Sequence, residues 1–184
     1  MNTTNSHALV VLKEEFNCSG AFISNEINRN QIRNITRPKD FKLMYSIYHP
    51  ILLMTSRQCF FQQTVGCNKP AIDDSCMQTC QKATTITNVK GISFAVDKQK
   101  GGYPSIYNNE QFLNLEAIKD FSDLFDEFFI DLTDIGSGSK EKLDKVILVQ
   151  EFEKILSTNK NEEAVMTLKK MITTSTNAQY EQGL

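Results

Sequence analysis

No run of apolar residues in this sequence approaches the roughly 20 that a helix needs to cross a bilayer. The longest apolar stretch, Tyr45–Met54, is interrupted by His49 and Pro50. Met1–Ser6 has neither a basic segment nor an apolar one, so no export signal and no membrane partner are expected, and a cytoplasmic location is. An excess of one charge is also missing. Twenty Lys and Arg against 22 Asp and Glu leave −2, with pI about 5.7, so charge does not favour nucleic acid as a partner. There is no tryptophan and there are only two histidines, His7 and His49. Without a His-Glu-x-x-His pattern a zincin-type peptidase helix is excluded, and the sequence places no Ser/His/Asp set. Gly136-Ser137-Gly138-Ser139 lacks the Lys-Ser/Thr ending of a phosphate loop and reads as a flexible joint, with Ser139 as a cap for the helix that follows.

What is there suits one α/β domain: 184 residues, 40% of them hydrophobic. Leu9, Val10, Leu12 and Phe16 have helical spacing over Ser6–Phe16, with Gly20 as a stop. Ala21–Ser24 reads as a strand and Asn28–Ile35 as a short helix ended near Pro38. Lys42–Thr55 reads as a long strand with Pro50 forcing an edge, bulge or break. Ile92–Val96 alternates like a strand, with Tyr103–Tyr107 as its hairpin partner across Lys98–Gly102. Leu115–Phe121 is a helix and Phe125–Leu132 a strand. Lys140–Leu156 and Glu162–Ile172 are amphipathic helices, and the tail Thr173–Leu184 is expected to lack order. Alternation of strands and helices predicts a mainly parallel sheet.

The pattern fails between Ser56 and Lys90, which carries four of the five cysteines. Cys59-x7-Cys67-x8-Cys76-x3-Cys80 places four thiols within 22 residues. With no export signal, disulfides are disfavoured. Soft thiolates suit tetrahedral zinc or a four-iron cluster, and a metal or cluster site is the expectation, with free cysteines as the alternative. Only Cys76 and Cys80 have the close spacing common in zinc knuckles, which leans towards a cluster while leaving zinc open. Phe60, Phe61 and Val65 would shield such a site. Cys18 reads as a small buried hydrophobe.

His49-Pro50-Ile51-Leu52-Leu53-Met54-Thr55-Ser56-Arg57-Gln58-Cys59 resembles the strand-then-cysteine signature of the collagenase-like peptidases, family thirty-two among peptidases of unknown type. Three further segments are similar to that family: Phe22–Asn28 after the Asn5–Ala8 helix start, Tyr103–Leu113, and the strand Phe129–Leu132. The resemblance covers about residues 5–155. It implies a (β/α) TIM-barrel-like sheet, here only its C-terminal part, with a cysteine-rich insertion over 56–90 and C-terminal helices. It implies that a partner chain, a second copy or the missing half-barrel completes the sheet.

Members bearing these cysteines are iron–sulfur proteins of oxygen-independent hydroxylation, of a ubiquinone precursor or an RNA base. The resemblance therefore implies a 4Fe-4S cluster on Cys59, Cys67, Cys76 and Cys80. The family often takes its fourth cysteine from the Tyr103–Leu113 segment. Ser105 stands near that place here, and Cys80 would substitute. The alternatives are a non-catalytic member with structural zinc, or a collagenase-like protease.

Barrel chemistry lies at the carboxyl ends of strands, which singles out Glu26 and Asp131 as catalytic candidates, with Asp134 beside them, while His49, in the middle of a strand-like run, is a third because a neutral imidazole suits acid–base work near pH 7. For Glu26 the bland reading is a helix-start carboxylate, for His49 a packed histidine, and for Asp131 and Asp134 a solvated strand end. Arg57 is a candidate donor to a cluster sulfur or an anionic substrate, and equally a surface ion pair. Asn108-Asn109 reads as a turn.

Overall fold

A computed structural model describes residues 3–80, 82–98, 103–135, 143–158 and 161–183. The helices are α1 (Ser6–Glu14), α2 (Arg29–Arg33), α3 (Asp74–Thr79), α4 (Glu116–Asp120), α5 (Lys145–Thr158), α6 (Glu162–Met171) and α7 (Ala178–Gln182). A π-helical turn spans Gln62–Gly66. The strands are β1 (Gly20–Phe22), β2 (Lys42–Thr55), β3 (Ala83–Thr87), β4 (Ser93–Asp97), β5 (Ser105–Leu113), β6 (Glu127–Ile130) and β7 (Ser175–Thr176). Their pairing gives an open, mixed seven-stranded sheet of order β1-β2-β5-β4-β3, with β6 on β2 and β7 on β5. None of the described helices is long and apolar enough to cross a membrane.

The chain divides into two compact units. The first comprises residues 1–49, 112–132 and 144–184. Here β1 and β6 both run parallel to β2, in register Ala21↔Leu43 and Ser46↔Phe129. Gly20 is required by close approach: a Cβ there would lie 2.8 Å from the Lys42 carbonyl oxygen. It opens β1 rather than ending the first helix, and the turn is made at Asn17, with φ 51°. Asn5 caps α1, and Asn28 and Gln31 form a reciprocal capping box on α2. Leu43, Tyr45 and Ile47 are buried, Tyr45 stacks on Phe125 at 4.9 Å, and Tyr48 meets Phe152 of α5. The tail expected to lack order instead carries β7 and α7. Tyr180 is fully buried there and donates from its hydroxyl to Asp120 at 2.6 Å.

The second unit comprises residues 50–111 and 133–143. β3, β4 and the start of β5 form an antiparallel meander, with Thr85↔Ala95 and Ala95↔Tyr107 in register. The hairpin expected of Ile92–Val96 and Tyr103–Tyr107 is present. The mainly parallel sheet expected is mixed instead: among the pairings described, β1–β2 and β2–β6 are parallel and β3–β4 and β4–β5 antiparallel, in an open sheet. The 56–90 segment, where the sequence pattern fails, holds the π turn and α3 and ends in β3. Its Thr-rich alternation, Ala83–Thr87, pairs along its whole length with β4. Asn108-Asn109 lies within β5, not in a turn. The side chain of Val65, the Gly136–Ser139 joint and the tip of the Lys98–Gly102 turn lie outside the described residues.

Candidate functional site

Two groups of side chains carry chemistry, one in each unit. In the second unit all four clustered cysteines are free thiols, half-buried, on the segment from β2 to β3. Cys59 packs with Phe60 against a small core of Phe61, Val96 and Ile106. Cys67 follows the π turn and Cys80 ends α3. Cys76 lies in the first turn of α3, and its backbone N–H donates to the Asp73 carboxylate at 2.8 Å. That carboxylate also accepts from Lys69 Nζ at 2.9 and 3.0 Å and from the Ser75 hydroxyl at 2.7 Å. The Lys69 ammonium and these hydrogen bonds hold the Asp73 carboxyl well below the usual carboxylate range.

No sequence pattern marks the part played by Lys98, which reads as the start of a turn. It is fully buried, and its ammonium donates to the Cys76 carbonyl oxygen at 2.5 Å. Its own backbone N–H donates to the Lys82 carbonyl, so β4 is tied to both ends of the α3 region. Ser105, near the family's fourth cysteine position, is buried and shares a hydrogen bond with the Thr55 hydroxyl at 3.0 Å. Among the described residues no three His, Cys, Asp or Glu side chains converge into a metal-holding group. The donor chemistry of four thiols fits a soft metal or cluster, but the described structure does not gather them. Arg57 and Asp134 are exposed. Cys18, in the first unit, is half-buried rather than packed away.

In the first unit the polar groups stand inside β2, at Ser46 and His49, and just past β1 and β6, at Asn25 and Asp131. Side chains alternate across a strand, so residues 46 and 49 of a regular strand face opposite ways. β2 breaks this alternation. The register on β6 shifts between Ser46 and Tyr48, and Ile47 and Tyr48 are buried in succession. This irregularity turns His49 to the same side as Ser46, whose hydroxyl lies 2.9 Å from His49 Nδ1. Asn25, just past β1, donates from its side-chain amide to the Ser46 carbonyl at 2.8 Å and so braces the bulge.

His49 stacks on buried Phe112, with ring centroids 4.6 Å apart. Burial lowers its pKa, and the Asp131 carboxylate partly opposes that shift. The imidazole is therefore neutral at pH 7 and can accept or relay a proton. Asp131 leaves β6 with its N–H bonded to the Tyr48 carbonyl at 2.7 Å. Of the three sequence candidates, the structure brings His49 and Asp131 into one electrostatic neighbourhood. Glu26 is exposed, and its N–H bonds to the Ser24 hydroxyl at 3.2 Å. Sequence reading passed over Ser46 and Asn25. Only a strand bulge makes the i, i+3 pair meet, and apolar periodicity does not announce one.

Against known families, the model of peptidase family U32 matches residues 1–184. No curated protein and no solved structure matches the chain.

Proposed function

This chain belongs to peptidase family U32, and from that premise we propose that it is an iron–sulfur protein taking part in oxygen-independent hydroxylation of a ubiquinone precursor or an RNA base. Cys59, Cys67, Cys76 and Cys80 would hold a four-iron cluster. The observation that carries this reading is four free thiols on one segment of a unit whose described apolar cluster is Phe61, Val96 and Ile106. Small cores ordinarily need a disulfide or a metal to hold them, and binding of a metal couples to folding around it.

A bound cluster would supply one-electron chemistry. The chain's own residues have separate tasks. Phe60 and Phe61 keep water from the Cys59 end. Lys98 holds the Cys76 carbonyl, and Asp73 fixes the Cys76 amide. His49, in the first unit, is a neutral imidazole at pH 7 that can accept a proton from a group beside Ser46. The parallel β1-β2-β6 limb is read as the barrel-derived part, completed by a partner chain, a second copy or further strands.

Anaerobic purification with iron and sulfide analysis tests the proposal. About four irons and four sulfides per chain are expected, falling sharply in Cys76→Ala. One zinc per chain, with no sulfide, overturns it in favour of a structural zinc site. Peptide cleavage by the metal-free protein points instead to a protease.

A further inference from the structure

Lys98 is the least expected buried side chain of the second unit. It lies just past β4, fully buried, and among the described contacts its ammonium meets one partner, the Cys76 carbonyl oxygen at 2.5 Å. Lysine ammoniums leave water only where something holds their charge, and a neutral carbonyl does not. The hydrogen bond itself requires no charge. A hydroxyl or amide donor would satisfy that carbonyl with far less desolvation. The backbone fixes the position: the N–H of Lys98 donates to the Lys82 carbonyl at 3.1 Å, beside the end of the cysteine segment. The charge is therefore the part of Lys98 that the fold alone does not explain.

We propose that Lys98 is a positioning residue of the thiol site, its buried ammonium standing as the fixed countercharge to a thiolate-bound metal centre at Cys76. The carbonyl oxygen and the sulfur of one cysteine are four bonds apart, so Nζ lies within about 7 Å of Cys76 Sγ in any rotamer. At that range, and out of water, a cation acts strongly on a thiolate. Four thiolates around a doubly positive zinc ion or cluster core leave two negative charges. Lys69, the other cation beside Cys76, is partly exposed and already paired with Asp73 at 2.9 Å. Among the described residues Lys98 is the one buried Lys or Arg. Its burial is unfavourable in the metal-free chain and favourable once the thiolates hold a metal. Asp97, buried next to it at the end of β4, is the rival countercharge. The inference rests on the cysteines being a metal site, and not on which metal they hold or on hydroxylation.

The full chain, freed of metal under reducing and anaerobic conditions, is titrated with zinc against a competing chelator, with cobalt as the optical probe of thiolate bonding. The natural chain is compared with Lys98→Met and Lys98→Gln. Methionine keeps the length and loses both donor and charge. Glutamine keeps an N–H donor for the Cys76 carbonyl and loses the charge. Both variants should bind zinc at least about tenfold more weakly. Metal-free Lys98→Met should resist urea as well as the natural chain or better, since an apolar side chain replaces a buried charge. In the cluster-loaded chain both variants should lower the reduction potential, because a nearby cation favours the more negative, reduced form. A merely structural lysine would move stability and leave the potential alone.

Unchanged zinc affinity in both variants overturns the proposal. So does natural affinity in Lys98→Gln alone, which would make Lys98 a hydrogen-bond donor and nothing more. Metal-free Lys98→Met that unfolds more easily, with the glutamine variant's affinity intact, assigns the ammonium to Asp97 instead. Should Lys98→Met fail to fold, Lys98→Gln decides by its affinity. Iron and sulfide held in full, at a potential that Lys98→Gln does not move, defeat this inference alone. A chain that binds zinc in a Lys98-dependent way but never holds iron and sulfide defeats the hydroxylation reading alone. A natural chain that takes up neither metal defeats both.

Discussion

The two units are each organised by a different kind of force. In the first, β1, β2 and β6 form a parallel ladder whose inner face buries Leu43, Tyr45 and Ile47 under aromatic and helical cover. In the second, the described core is Phe61, Val96 and Ile106, and the cysteine segment is held by polar ties from Lys98, Lys69 and Asp73. Apolar packing fixes a backbone without a ligand, so the first unit carries a preformed polar site. Polar ties alone leave four thiols near one another in sequence without gathering them, and the cluster proposed above would add order there.

The largest effect separates these two modes. Leu43→Ala opens a cavity beneath a fully buried strand position and should cost about 3 kcal/mol in urea denaturation. Chelation of the metal from the loaded protein should leave hydrogen-exchange protection of β1, β2 and β6 intact while exposing residues 56–80 to protease. Equal loss of protection in both regions would show that the contrast is false.

Next in size is Tyr180→Phe. The lost hydroxyl donates to a carboxylate that also accepts from Arg29 at 2.8 Å. Hydrogen bonds to charged groups are worth about 1.5–3 kcal/mol, so a loss near 2 kcal/mol is expected in the same denaturation. A change below a few tenths of a kcal/mol would mean that α7 adds nothing to the first unit.

That helix also shows where sequence reading ends. Periodicity found β2 from Lys42 to Thr55, α1, α6 and the β4–β5 hairpin, because each has a long repeat or a turn to mark it. α7 is one and a half turns long and is held by a single buried tyrosine, so no repeat announces it. β3 was missed because Thr-Thr-Ile-Thr follows a polar stretch and pairs as an edge strand, where apolar content is low. Asp131 is legible from its place at a strand end, and His49 as one of only two histidines, inside a strand. Ser46 and Lys98 were not, since a bulge creates the first contact and a fully buried ammonium the second. The cysteines were legible as a group by spacing alone, and spacing says nothing of whether the sulfurs meet.

A smaller effect probes the polar ties directly. The Asp73 carboxyl is held below its ordinary range, so its contribution is complete above about pH 4, the unfolded value, and is lost as pH falls through the folded one. Amide exchange at Cys76 should quicken severalfold over that acid window, and Asp73→Ala should reproduce the fast exchange at neutral pH. Exchange that ignores both would remove Asp73 from the support of the cysteine segment.

The smallest expected effect lies in the first unit, where packing rather than charge sets the behaviour of a titrating group. His49 is lowered by burial, with Asp131 pulling the other way. The unfolded chain therefore binds this proton more readily than the folded one. The stabilisation tied to His49 is complete above about pH 6.5, the unfolded value, and drains away as pH falls through the folded pKa. His49→Gln should flatten that part of the stability profile. Asp131→Asn should lower the NMR titration midpoint of His49 further, because the remaining influence is desolvation alone. A midpoint that rises in Asp131→Asn would mean that the carboxylate does not act on the ring, and the site would lose one of its two titratable members. A midpoint that falls while stability stays level from pH 5 to 7 would instead confine their coupling to the proton and leave the fold to Leu43 and its neighbours.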